Sequence, residues 1–166
     1  MTRPVLALIA SAGGGVEHWF VPELARPLAE EGWRLAVTVT PTAARWLEPL
    51  VPDLEALTDL PVRSTSRLPG EPRPHPPADA FVLAPGTANS VAKLALGIAD
   101  NQALTVLCEG LGRRAPMVVL VRANDDQLAH PAFDGHLAVL RTAGVRLVST
   151  GGPSAVRREL TAARRP

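Results

Sequence analysis

Short apolar runs alternate with helical patterns along the chain, and this alternation constrains the fold more than any other feature of the sequence. The runs have the length of strands and are apolar on both sides, as strands are when helices cover both faces of a parallel sheet. They lie at Val5–Ala10, Leu35–Val39, Ala80–Ala84, Pro116–Val121 and Val145–Ser149. The alternation predicts one α/β domain over residues 1–166, a three-layer, doubly wound parallel sheet of Rossmann-like or flavodoxin-like type.

Helical patterns fill the intervals between these runs. A helix is predicted over Glu17–Glu31 with a kink at Pro27, because a proline inside a helix removes a hydrogen bond and clashes with the preceding turn. Thr40 is placed to cap a helix over Ala43–Val51. Further helices are predicted at Ala88–Gly97, Gln102–Gly112 and His136–Ala143.

Turn and loop residues complete the outline. Pro61–Arg63 has the length of a short strand, and Leu68–Pro77 is dense in proline and predicts an extended loop. A helix entry is predicted at Asp125, and Ser154 is expected to cap a last basic helix ending in Arg164-Arg165.

Composition excludes several classes of protein. The chain has 166 residues, 46% of them hydrophobic and 20% charged, which indicates a globular domain with a real core. A net charge of +1 predicts neither a nucleic acid nor a membrane surface as partner, and no apolar run reaches the roughly 18–20 residues that cross a bilayer. No secretion signal is recognised after Met1, so a cytoplasmic location is expected. Cys108 is the one cysteine, and no metal site is predicted.

Four loops that follow predicted strands are expected to meet at one edge of the sheet. They are Ser11–Gly15, Thr40–Thr42, Pro85–Ser90 and Arg122–Asp126. Ligands of doubly wound sheets bind beyond the carboxyl ends of the strands. The Gly-rich loop Ser11–Gly15 lacks the GxGxxG spacing, so by itself it is equally a tight turn or a phosphate contact. Thr40 and Thr42 are equally ligand contacts or helix-capping residues.

The segment Pro85-Gly86-Thr87-Ala88-Asn89-Ser90 predicts a turn from a strand into a helix, a device that holds an anion on free backbone N–H groups. Lys93 and the block Gly97–Asn101 (GIADN) follow it. Together these residues resemble the signature of the homo-oligomeric flavin-containing cysteine decarboxylases, which include phosphopantothenoylcysteine decarboxylase and the peptidyl-cysteine decarboxylases. That signature is a Pro-Ala-Ser/Thr-Ala-Asn-Ser/Thr turn, a lysine and a Gly-Ile-Ala/Cys-Asp-Asn segment. Gly86 is the one departure within the turn.

The resemblance implies a flavin cofactor, FMN by default with FAD as the alternative. The residues that it implies for cofactor binding are Ser11, Ala12, Gly13, Thr40, Thr42, Thr87, Ala88, Asn89, Ser90 and Ala123. It also implies that the flavin oxidises a cysteine thiol, that the oxidised group serves as an electron sink, and that CO2 leaves to give an enethiol. Lys93 is equally a ligand contact or half of a structural ion pair.

The substrate-binding and catalytic residues match the family less completely. Asn124 matches the asparagine that helps to hold the substrate carboxylate, but the Pro-x-Met before it is replaced, and Arg122 is a second candidate for the carboxylate. The family's histidine eight residues before the Ala-Asp pair is Glu71 here. His75 is therefore the candidate base, with an exposed loop imidazole as the alternative.

Three functions follow from the resemblance. The first is decarboxylation of the C-terminal cysteine of a peptide, and the second is the phosphopantothenoylcysteine reaction on a small molecule. The third is a flavin-binding regulatory or assembly subunit without decarboxylase activity. The resemblance also implies a homotrimer or homododecamer with flavin at the subunit interfaces. Trp19, Trp33 and Trp46 are candidate core or interface anchors.

Overall fold

The computed structural model describes residues 2–163, and these form one parallel sheet with helices on both faces. The strand order is β2-β1-β3-β4-β5, and every pairing is parallel. The strands are β1 (Val5–Ala10), β2 (Arg34–Val39), β3 (Ala80–Thr87), β4 (Met117–Arg122) and β5 (Arg146–Val148). The doubly wound parallel sheet that the sequence predicts is confirmed.

Helical segments connect all of the strands. They are α1 (Val16–Trp19), α2 (Arg26–Glu30), α3 (Pro41–Leu47), α4 (Val51–Glu55), α5 (Ala88–Leu96), α6 (Gln102–Gly112), α7 (Asp125–Leu128), α8 (Phe133–Thr142) and α9 (Gly152–Ala163). A π-helical segment (Phe20–Ala25) joins α1 to α2, and a short 3-10 turn (Glu48–Leu50) joins α3 to α4. No helix within residues 2–163 has both the length and the apolar character to span a bilayer.

Two apolar layers sandwich the sheet. Side chains alternate along β1, so Leu6 and Leu8 face α1–α4 and α9, while Ala7 and Ile9 face α5, α6 and α8. All six residues of β1 are buried. This burial on both sides is the reason that the strands are continuous apolar runs rather than alternating ones.

The end of the third strand differs from the prediction. Pro85 and Gly86 were expected to turn the chain, but β3 runs on to Thr87 and α5 begins at the next residue. The strand continues because the Ser11 N–H donates to the Pro85 carbonyl over 3.1 Å, and because Gly86 and Thr87 pair with Val121 and Arg122 of β4. Hydrogen bonds to residues distant in the sequence thus outweigh the local preference of a Pro-Gly pair for a turn.

Other boundaries were also wrong. The irregularity expected at Pro27 lies earlier, in the π-helical Phe20–Ala25. Pro61–Arg63 is not a strand and contributes one bridge, between Arg63 and Thr38 of β2. Ser154 does not cap α9, which begins two residues earlier at Gly152, and its hydroxyl donates to the Gly151 carbonyl instead. The expected end at Arg164-Arg165 lies outside the described residues.

Candidate functional site

A cluster of hydroxyl groups joins the loop after β1 to the start of α5. The Ser11 hydroxyl donates to Ser90 Oγ over 2.7 Å, and Thr87 Oγ1 lies 3.4 Å from the same oxygen. Ser11 and Ser90 are both buried. Three residues that the sequence assigns to cofactor binding therefore meet at the carboxyl edge of the two central strands.

Glycine brings the loop backbone close to its neighbours. A Cβ on Gly13 would lie 3.0 Å from Thr87 Cγ2. Gly14, at φ +58°, adopts the left-handed conformation, and a Cβ there would lie 3.2 Å from Arg122 Cγ. Within residues 2–163, the backbone N–H groups of Ala12, Gly13 and Gly14 donate no hydrogen bond, so they are free for an anion.

Trp19 fixes this loop from outside. Its indole N–H donates to the Gly14 carbonyl over 2.7 Å, and its ring makes an edge contact with Phe20 at a centroid distance of 6.2 Å. Of the three tryptophans, Trp33 is buried in the core and Trp46 is 46% exposed. The sequence did not indicate the role of Gly14 or of Trp19 in shaping the loop, although the run of three glycines is a signal for close approach of backbone.

Two helix starts add further donors at the same edge. Thr87 caps α5, since its Oγ1 accepts from the Ser90 N–H over 3.4 Å, and the first N–H groups of that nine-residue helix, those of Ala88 and Asn89, point beyond the strand. Thr40 caps α3 by accepting from the Ala43 N–H over 3.3 Å. The capping reading of Thr40 is confirmed, and Thr42 is exposed beside it.

Arg122, at the end of β4, supplies the positive charge. Its side chain lies over Gly14, and Nη2 would be 3.8 Å from a Cβ on Gly152, which follows β5. No ion pair links this half-buried guanidinium to a carboxylate in the described part of the chain. A guanidinium without a carboxylate partner at the mouth of a ligand crevice is suited to bind an anionic group.

Asn124 begins α7 and forms a capping box. Its Oδ1 accepts from the Gln127 N–H over 2.9 Å, and Gln127 Oε1 accepts from the Asn124 N–H over 3.1 Å. The side-chain amide of Asn124 is thereby oriented with its NH2 group free to donate. Ala123 lies half-buried between Asn124 and the end of β4.

The segment Gly97–Asn101, which follows α5, has a structural role. Lys93 Nζ lies 2.6 Å from Asp100 Oδ2, and Asn101 caps α6 by accepting from the Leu104 N–H over 3.0 Å. Of the two readings for Lys93, the structure shows the ion pair. The pair and the cap fix the turn between α5 and α6, and so the direction of α5 behind Ser90.

His75 lies away from the carboxyl-edge loops of its own chain. Its Nε2 is 2.7 Å from the Pro61 carbonyl, and the ring lines a cavity between the proline-rich loop and α6. None of the four carboxyl-edge loops contributes to that cavity. Because a carbonyl only accepts, Nε2 carries the proton and Nδ1 keeps a free lone pair.

The environment holds the imidazole of His75 neutral. Burial lowers its pKa below the ordinary value, the positive charge of Arg63 lowers it further, and the hydrogen bond to Pro61 opposes both. A neutral imidazole with one free nitrogen is the form that a general base requires.

Cys108, on α6, is half-buried against the core, and burial raises the pKa of its thiol.

The lowered pKa of His75 predicts a pH dependence of stability. The unfolded chain takes up a proton near pH 6.5, whereas the folded chain resists it until a lower pH, so the free energy of unfolding should fall as pH drops below about 6.5. His75→Gln should make this fall shallower. Urea denaturation at several pH values between about pH 7 and about pH 5 measures the free energy of unfolding of both proteins. If this free energy falls equally with pH in both proteins, the assignment is contradicted.

The fold and the edge cluster define a class of protein, an α/β domain that binds a phosphate-bearing ligand beyond the carboxyl ends of its strands. Comparison with known families gives the particular family. The profile of the Flavoprotein family matches residues 3–163, and the chain belongs to that family.

Individual relatives agree with this result. The chain is 30% identical over 144 residues to the coenzyme A biosynthesis bifunctional protein CoaBC of Escherichia coli (strain K12), a stretch that covers 83% of this chain and 34% of that protein. The chain thus spans about a third of the length of that relative. A probable phosphopantothenoylcysteine decarboxylase of Streptococcus mutans serotype c is 27% identical over 152 residues, with 88% of this chain and 82% of that protein covered.

A solved structure matches the whole fold. The FMN-dependent cysteine decarboxylase TvaF from thioviridamide biosynthesis superposes with a TM-score of 0.78 and 25% sequence identity. The match covers 96% of this chain and 97% of TvaF. The family resemblance that the sequence indicates is confirmed.

Proposed function

We propose that this protein binds FMN at the carboxyl-edge cluster and catalyses the oxidative decarboxylation of a C-terminal peptide cysteine to an enethiol. The observation that carries the proposal is the convergence of Ser11, Thr87 and Ser90 with free backbone N–H groups at one sheet edge. Membership of the Flavoprotein family and the similarity to TvaF, an FMN-dependent cysteine decarboxylase, support it.

The residues at the edge fit a phosphorylated flavin. A phosphate would be held by the N–H groups of Ala12 and Gly13 and by the start of α5 at Ala88 and Asn89, where hydroxyl groups and the helix dipole favour an anion. Thr40, Thr42 and Ala123 border the same edge and complete the proposed set. FMN, when bound, would supply the two-electron oxidation of the substrate thiol.

The substrate carboxylate is assigned to Arg122 and Asn124. A guanidinium without a carboxylate partner and an oriented amide NH2 lie at the same end of β4, and both donate to a carboxylate. Holding the carboxylate in place and exchanging its hydration for fixed donors orients the bond that breaks when CO2 leaves.

The base is assigned to Nδ1 of His75. Because the cavity of His75 shares no residue with the carboxyl-edge loops of the same chain, we assign the complete site to two subunits of a homo-oligomer. The imidazole of one subunit would take the thiol proton of a substrate held at the edge of the next.

The similarity to TvaF, an FMN-dependent cysteine decarboxylase from thioviridamide biosynthesis, at a TM-score of 0.78 and 25% sequence identity supports the choice of a cysteine-ended peptide as substrate. Phosphopantothenoylcysteine is the alternative, and the S. mutans relative favours it. Single-turnover reactions of the FMN-loaded protein with a cysteine-ended peptide and with phosphopantothenoylcysteine, followed by mass spectrometry, separate the two. A yellow protein that releases CO2 from neither would instead be the regulatory subunit.

Gly13→Val tests the cofactor cradle. The new side chain would meet Thr87, displace the loop and weaken FMN binding by at least about tenfold, equal to about 1.4 kcal/mol. Gly112→Val is the matched control, since nothing lies within 4 Å of a Cβ there. Flavin fluorescence titration gives both affinities, and equal affinities would place the flavin elsewhere.

A further inference from the structure

A second feature of the molecule is a cavity of about 800 Å³ between the proline-rich loop and α6. Its floor is apolar and consists of Ala7, Ala36 and Phe81 from three neighbouring strands. One wall is the loop from Arg63 to Ala78, and the other is the exposed side of α6. The volume is at the upper end of the range for ligand sites.

Arginine dominates the charge of this cavity. Arg63, Arg67 and Arg73 come from the loop wall, Arg113 comes from the end of α6, and Glu109 is the acidic residue among the described lining residues. The whole chain has 17 basic and 16 acidic residues, so this excess is local. A local excess of one sign inside a concave surface raises the concentration of the opposite ion.

Three of these four guanidinium groups contact neutral partners. Arg63 donates to the Thr65 carbonyl over 2.7 Å, and Arg67 donates to the Glu71 carbonyl over 2.9 Å. Arg113 lies over the Phe81 ring at 5.4 Å from its centroid. Within residues 2–163, none of the four forms an ion pair with a carboxylate. Within that range the four guanidinium groups therefore have no directly paired carboxylate, although the charge of Glu71 acts on Arg63 from nearby.

The cavity walls fit an extended chain better than a single small anion. The arginines are distributed over two opposite walls, so they match several charges along a ligand. Five prolines stiffen the loop wall, and four of them line the cavity. Ser66 Oγ donates to Gln102 Oε1 over 3.0 Å and so ties the loop to the first turn of α6.

We propose that this arginine-lined cavity binds an acidic segment of a peptide. Because His75 lines the same cavity, the segment would lie upstream of the reacting cysteine, an identification that rests on the proposed function. Binding of an acidic peptide as such does not depend on it.

Fluorescence anisotropy of labelled hexaglutamate with the FMN-loaded protein tests this proposal. The double variant Arg67→Gln/Arg113→Gln should bind at least about tenfold more weakly, and Arg141→Gln, an exposed arginine of α8, should change the affinity by less than about twofold. Affinity should also fall as ionic strength rises from about 0.01 M to about 0.15 M. Labelled hexaglutamine should not bind.

Two results would overturn the proposal. They are equal affinity of the double variant for hexaglutamate, and binding of inorganic phosphate without binding of hexaglutamate. Flavin content and CO2 release are measured in parallel. A yellow protein that releases CO2 but does not bind hexaglutamate would contradict only the proposal that the cavity binds an acidic peptide. A colourless protein that binds hexaglutamate would contradict only the proposed FMN-dependent function.

Discussion

Replacing His75 with alanine is expected to slow decarboxylation by about 100-fold to 10,000-fold while FMN stays bound, since this is the usual contribution of a general base. The expectation rests on the state of the imidazole. Its Nε2–H is engaged by Pro61, its Nδ1 is free, and burial and Arg63 lower its pKa, so the basic form predominates at pH 7. Single-turnover mass spectrometry of the cysteine-ended peptide measures the rate.

The same variant tests whether two subunits share one site. His75→Ala and Asn124→Ala should each be strongly slowed alone. Unfolding and refolding the two variants together should restore part of the activity, because some interfaces would join an intact His75 to an intact Asn124. Refolding each variant alone is the control. His136→Ala, in α8, should keep full activity. Undiminished turnover by His75→Ala would show that His75 is not the base. Refolded mixtures that are no faster than each variant alone would show that the site is not shared between two subunits.

Much of the fold follows from the sequence because its signals are local. The run Val5–Ala10 is buried on both sides, and α6 spans Gln102–Gly112 as predicted, since Asn101 caps it through its own side chain. The meeting of the loops also follows, because the carboxyl ends of parallel strands share an edge. Ser11 and Ser90, 79 residues apart, are in contact there.

The parts that were missed depend on contacts between distant segments. Nothing near Pro85 signals that the Ser11 N–H will hold its carbonyl in a strand. The arginine-lined cavity requires α6 to pack against the loop, which brings Arg113 and Arg67 into the lining of one cavity. The proline-rich loop has no periodicity, so its sequence does not place His75, and the assignment of that residue stays a prediction.

Phe81→Ala is expected to lower the free energy of unfolding by about 3–5 kcal/mol, the largest stability effect of a single substitution that we predict. Phe81, the second residue of β3, is 1% exposed, and Gly110 of α6 is packed so closely on its ring that a Cβ there would lie 2.7 Å away. Truncation would leave a void between β3 and α6 that no neighbouring side chain fills, and would also remove the support under Arg113.

Urea denaturation measures this loss as a lower midpoint with an unchanged slope. Leu68→Ala is the control, since Leu68 is 66% exposed in the proline-rich loop and its truncation should cost less than about 0.5 kcal/mol. Phe81→Leu should fall between the two, because it keeps most of the buried volume. A loss below about 1 kcal/mol for Phe81→Ala would show that α6 is not packed on the sheet through this ring. Phe81 would then not form part of the floor of the arginine-lined cavity.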